Sequence, residues 1–117
     1  MDAASLAADM VIAPDESLVR YVADWIDRAT TAAAVDLATA PPLDGRRHVD
    51  ALIAASAAQV ARLRGLPAPA WTNEPQRRTD NFWYPGPPSL FPNALVHSPL
   101  AFRSRGVFVE AASLRSV

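Results

Sequence analysis

The chain contains no cysteine and no lysine. Without thiols there is no disulfide framework, no thiolate nucleophile and no cysteine-bound metal, which suits a reducing compartment. All eleven basic residues are therefore arginine, and with the surplus of alanine and proline they fit a GC-rich genome. Glycine is scarce, four in 117 residues, and the four are scattered, so no glycine-rich phosphate loop exists. No segment reaches the roughly 18 consecutive apolar residues of a membrane span. Asp2 and Asp9 stand where a signal peptide would carry basic residues, so a cytoplasmic location is expected.

What is present is enough for one core. Half the residues are hydrophobic, and a chain of this length supports a single domain over residues 1–117. Residues 1–14 are a candidate for a separate short helix. Net charge is −1, but it is unevenly spread: residues 1–44 hold eight acids and two arginines, and residues 45–117 hold four acids and nine arginines. Such a split implies either pairing between the halves or one acidic and one basic interaction surface.

The stretch that organises the chain is His48–Arg64. Val49, Leu52, Ile53, Ser56, Ala57, Val60 and Leu63 recur at helical spacing, and Ala51, Ala54, Ala55, Ala58 and Ala61 keep the helix slim. A helix apolar nearly all round is buried and contacted from several sides. Asp44 is its expected N-cap, and Gly65 with Pro67 its stop. Upstream, Asp2–Val11 carries Leu6 and Met10 four apart. Asp15 is the expected cap of an amphipathic helix marked by Leu18, Val22, Trp25, Ile26, Ala29 and Ala33, running to about Ala38 with a weak point at Thr30-Thr31. Pro41-Pro42 stops it, and a short link to Asp44 predicts an antiparallel pair with the central helix.

Residues 66–92 hold seven of the eleven prolines and two of the three tryptophans. Trp71, Phe82, Trp83 and Tyr84 are too large and apolar for a disordered linker, so this reads as an ordered wrap with one helical turn near Glu74–Arg78. Further short helices are expected at Ser89–Val96 and at 98–105, the latter capped by Ser98 with Pro99 in the first turn and ended by Gly106. Val107–Val109 reads as extended and 111–117 as a last turn. The fold class is all-α: a small domain of one antiparallel helix pair, a Pro/Trp-rich wrap and short C-terminal helices.

Little here does chemistry. His48 and His97 share no metal-ligand spacing. His48 is best placed in the first turn of the central helix beside an acid, Ser98 is best explained as a cap, and Asp24 and Asp27 as solvated charge. No catalytic residue, metal or cofactor is expected, and the protein reads as a non-enzyme. Arg77, Arg78, Arg103 and Arg105, with Trp83 and Tyr84, form the candidate binding set. Arginine and tryptophan are favoured at protein interfaces, and the same residues could stack and neutralise a nucleic acid. The bland alternative has Trp71 and Trp83 filling the core.

The segments LPAPAW (66–71), NFWYP (81–85) and SPLAFRSRGVFVEAASL (98–114) are similar to a group of small actinobacterial antitoxin-like proteins with the pattern LPxPxW, FWxP, SPxxFRRRGxFxxxxxL. Such proteins are encoded directly ahead of nucleotidyltransferase-like toxins, and some carry a helix-turn-helix domain that this sequence lacks. The resemblance covers residues 45–117 and carries over no catalytic residue. It implies a protein that neutralises a cognate nucleotidyltransferase-like toxin by occluding its active site, with Arg103 and Arg105 set against acidic, metal-binding toxin residues. The alternatives are a nucleic-acid-binding accessory protein and a self-assembling homodimer.

Overall fold

A computed structural model describes residues 1–86 and 88–114, and among these there are helices and turns but no strands. The helices are α1 (Ala3–Met10), α2 (Leu18–Thr31), α3 (Arg47–Leu63), α4 (Phe91–His97) and α5 (Leu100–Arg103), joined by tight 3-10 turns. The all-α class expected from the sequence is the class observed.

Helix α3 is the central post. Every residue from Val49 to Ala61 is buried, and α1, α2, α5 and the turns of the wrap all pack on it. Gly65 ends it with φ +70 while the Leu66 N–H reaches the Ala61 carbonyl at 2.8 Å, the closure that left-handed glycine permits. Its start differs from expectation. Asp44 is not the cap: the N-cap position is Arg46, without a side-chain bond, and the Asp44 carboxylate instead holds Arg46 Nε at 2.6 Å. Asp50, one turn inside the helix, accepts the N–H groups of Asp44 (2.7 Å) and Gly45 (3.4 Å) and so shapes the entry.

The α2–α3 pair is parallel, not antiparallel. Both N-terminal ends meet at Asp15, whose carboxylate is 3.1 Å from His48 Nε2 and 3.7 Å from Arg46. Both C-terminal ends meet at Arg64, which donates to the carbonyls of Ala29, Thr30 and Ala32 at 3.1, 3.1 and 2.8 Å. The reason is an early stop. Helix α2 ends at Thr31 rather than near Ala38, where the Thr30 and Thr31 hydroxyls turn back on the Ile26 and Asp27 carbonyls and the chain becomes extended at Ala32. Residues 32–46 then form an irregular link that can reach about 50 Å, ample to return along a 14-residue helix of about 21 Å. Helix α1 runs antiparallel to both, its start tied to mid-α2 by Trp25 Nε1 donating to the Asp2 carbonyl (3.1 Å) and its end tied to the α3 entry by Arg46 donating to the Met10 carbonyl (2.7 Å). Leu6 and Met10 are fully buried in the core that extends to Leu114, so α1 belongs to that core.

Two caps fall elsewhere than expected. Asp15 opens a 3-10 turn instead of capping α2, its carboxylate being engaged with His48. Ser98 terminates α4 rather than starting α5: its hydroxyl donates to the Ala94 carbonyl and accepts the Val109 N–H at 2.9 Å, cross-linking two segments of the C-terminal half. Helix α5 shrinks to Leu100–Arg103, with Pro99 ahead of it. The wrap is ordered, with turns at Ala70–Asn73 and Pro75–Arg77 where one turn was expected. Trp71 is buried with Nε1 on the Leu37 carbonyl at 2.8 Å, pinning the returning link. Val107 lies beside Trp83 as a single bridge, with Trp83 N–H to the Gly106 carbonyl (2.8 Å) and Phe108 N–H to the Trp83 carbonyl (2.9 Å). The last turn covers Ala111–Leu114; residues 115–117 of the expected turn lie outside the described residues.

Candidate partner interface

The arginines are used chiefly on backbone carbonyls. Arg46 holds the chain after α1, Arg47 donates to the Arg78 and Pro75 carbonyls (2.8 and 3.1 Å), and Arg64 closes α2. Irregular segments leave carbonyls without helical partners, and an arginine fork satisfies several at once. This corrects the expectation of pairing between acidic and basic halves. Among the described residues the ion pairs that join the halves are confined to Asp15 and Asp44, while Arg28–Asp24 (2.9 Å) and Arg47–Asp80 (3.3 Å) stay within one half.

Two of the six expected binding residues turn inward. Arg77 is 3% exposed: Nη2 donates to the Pro41 carbonyl, Cζ lies 4.9 Å from the Trp71 ring centre, and Nη1 is 3.9 Å from Asp50. Arg105 is 5% exposed, donating to the Thr72 carbonyl (2.8 Å), the Ala101 carbonyl (2.7 Å) and the Asn73 side chain (3.1 Å). Burial lowers the pKa of both guanidiniums, opposed at Arg77 by Asp50 and Glu74 and reinforced at Arg105 by Arg78, yet arginine keeps its charge in proteins. Neither is presented to a partner, because the loops they staple offer no other donors for those carbonyls. Arg78 and Arg103 are exposed.

Trp83 and Tyr84 part company. In the extended run 82–84 successive side chains take opposite faces. Trp83 is half-buried against the core with its ring 4.9 Å from that of His48. Phe82 and Tyr84 face the other way, into a row of rings outside the main core: Phe82 on Phe108 at 4.9 Å, Phe108 on Phe91 at 6.5 Å, Phe91 on Tyr84 at 5.1 Å. Phe82 remains 76% exposed, and Leu95, on the Phe91 face of α4, and Val96 are exposed too. Phe82, Phe91 and Phe108 were absent from the expected site. The alternation in NFWYP was the available signal for Phe82; Phe91 and Phe108 are separated in sequence and met only through folding.

At its Tyr84 end the row opens into a cleft of about 130 Å3, lined by Asp15, Glu16, Val19, Tyr84, Leu90 and Glu110 among others. That is below the roughly 300 Å3 at which pockets for drug-sized ligands begin. Burial, with Glu110 adding, raises the Tyr84 pKa. Gly86 lies beneath the Tyr84 ring, where an added Cβ would stand 2.6 Å from Cζ. Two larger, almost wholly apolar hollows lie at Ala4–Val11 with Pro42 and Leu43, and at Val35–Ala38 with Leu66–Pro69. Among the described residues no cluster of three or more His, Asp or Glu side chains could hold a metal, and no helix is long and apolar enough to cross a membrane.

Comparison with known proteins finds no matching family, no similar curated protein and no similar solved structure.

Proposed function

We propose that this protein is a binding module of the antitoxin kind, which neutralises a nucleotidyltransferase-like toxin by holding it against the aromatic row and covering its active site. The observation that carries the reading is Phe82: a phenylalanine left 76% exposed at the end of a built row of rings. Exposed contiguous apolar surface marks interaction sites, and aromatic anchors supply most of the binding energy at protein interfaces. With Arg77 and Arg105 engaged internally, the contact is assigned to Phe82, Tyr84, Phe91 and Leu95, with Arg78 and Arg103 as peripheral charges. Trp83 acts from beneath by setting the extended run. The same withdrawal leaves a nucleic-acid reading with two of its four arginines.

The test is co-expression with the product of the adjoining gene, scoring growth and co-purification. The neighbour is expected to be toxic alone and harmless in a stable complex. Phe82→Ser should weaken that complex by about thirtyfold or more, the loss typical of an interface anchor, with an unchanged circular dichroism spectrum. A neighbour that neither copurifies nor affects growth, or a Phe82→Ser complex as tight as the original, overturns the proposal.

A further inference from the structure

We infer that the cleft at the end of the aromatic row receives a single arginine side chain projected by the partner protein, an inference that rests on the binding-module reading. The cleft has the parts such a side chain needs. Val19, Leu90 and Val109 form an apolar sleeve for a methylene stem, and Tyr84 supplies a ring face, which attracts a guanidinium. Asp15, Glu16 and Glu110 surround the space with carboxylates. Asp15 is engaged by His48 and Arg46, but among the described residues neither Glu16 nor Glu110 forms an ion pair with a cation. Their negative charge is therefore uncompensated around a cavity of about 130 Å3, sized for one side-chain head group. Tyr84 and Leu90 place the cleft directly beside Phe91 and the row, so one partner surface can engage both.

The protein uses the same recognition internally. Arg77 lies over the Trp71 ring with Asp50 at 3.9 Å and a backbone carbonyl completing its contacts. In the cleft the ring and carboxylates are present and the guanidinium is left for another molecule to supply. Arginine is favoured over lysine because a planar guanidinium can stack on Tyr84 while its N–H groups reach two carboxylates. Gly86 keeps the ring in place, since any side chain there would displace it.

The experiment is an NMR titration of the full chain with N-acetyl-arginine methylamide, following the Gly86 amide and the Tyr84 ring. Saturable shifts are expected at roughly millimolar probe, the range for one exposed cation–aromatic contact with carboxylates. The lysine analogue should bind more weakly, and the isosteric but uncharged citrulline analogue should give no saturable shift. Glu16→Gln with Glu110→Gln should weaken binding about fivefold or more, and Tyr84→Leu should do likewise, both with unchanged thermal unfolding. No saturable shift at Gly86 and Tyr84, or an affinity unchanged in Glu16→Gln/Glu110→Gln, overturns the inference. The probe needs no toxin, so the outcomes separate: loss of co-purification with probe binding intact overturns the proposed function alone, and the reverse overturns only the cleft assignment.

Discussion

Replacing Arg77 by methionine removes a buried cation while keeping most of the stem. The guanidinium is 3% exposed, donates Nη2 to the Pro41 carbonyl, stacks on Trp71 and holds Nη1 3.9 Å from Asp50, with no hydrogen bond on that nitrogen. The charge-assisted bond contributes about 1.5–3 kcal/mol and the stacked cation about 1–2 kcal/mol. Truncating one member of a buried pair costs about 3–5 kcal/mol because the other charge stays behind. The bare Nη1 and the long separation from Asp50 put Arg77→Met at the lower end, about 3 kcal/mol, a large part of the roughly 5–15 kcal/mol that holds a domain. Asp50→Asn keeps an acceptor for the Asp44 N–H but loses the facing charge, and should cost about 2 kcal/mol. The double variant leaves neither charge unmatched, so it should be less destabilised than the two losses together by about 1 kcal/mol or more. Urea unfolding of the four proteins at pH 7, compared at constant m, measures all three values. Losses that add to within about 0.5 kcal/mol would show that Arg77 and Asp50 do not communicate. A neutral Arg77→Met would show that this cation does not hold the returning link at Pro41.

Other positions test other joints of the fold. Gly106→Ala should destabilise by about 2 kcal/mol or more, since φ is +80 and the new Cβ would collide with the Thr79 hydroxyl; Gly65→Ala, with φ +70 and open space, should lose only about 1 kcal/mol in the same thermal melts. Ser98→Ala strands the buried Val109 N–H and should cost about 1–3 kcal/mol by urea unfolding, whereas a serine acting only as the cap of α5 would leave hydrogen exchange at Val109 unchanged. The Arg46 side chain holds the Asp44 carboxyl below its usual 3.8, its hydrogen bond outweighing the opposing effect of burial. A depressed carboxylate stabilises the fold above its unfolded pKa and loses that contribution as pH falls through the folded value, so wild type should lose stability below about pH 4 more steeply than Asp44→Asn in an acid titration.

Much of the architecture was legible because it depends on local pattern. The 49–61 run is apolar at every face, so it must be surrounded, and it is. Leu6 and Met10, and the Leu18–Ala29 stripe, announced their buried faces by spacing alone. Proline density excluded long helices from 66–92, and tryptophan content demanded that this stretch be packed. The caps were harder. Asp44, Asp15 and Ser98 are all chemically able to cap a helix, and each is claimed by a stronger or nearer partner: Arg46, His48 and the Val109 N–H. Composition shows that a polar group needs a partner, and only the folded chain shows which partner is closest.

The binding site divides along the same line. NFWYP was visibly a surface-seeking aromatic cluster held by an ordered wrap, and its alternation separates Trp83 from Phe82 and Tyr84. Which arginines face solvent was not visible, because Arg77, Arg78, Arg103 and Arg105 are alike in sequence. The sequence by itself determined an all-α chain with one central apolar helix, no thiol chemistry and a wrap rich in rings, since periodicity, proline sterics and missing residue types act locally. The tertiary structure alone decided that α2 and α3 run parallel, that arginines close open carbonyls rather than seek acids, and that Phe82, Phe91, Phe108 and Tyr84 meet. Those outcomes depend on which distant groups come within hydrogen-bond and van der Waals range once the link of residues 32–46 returns along the helices, and no spacing along the chain encodes that distance.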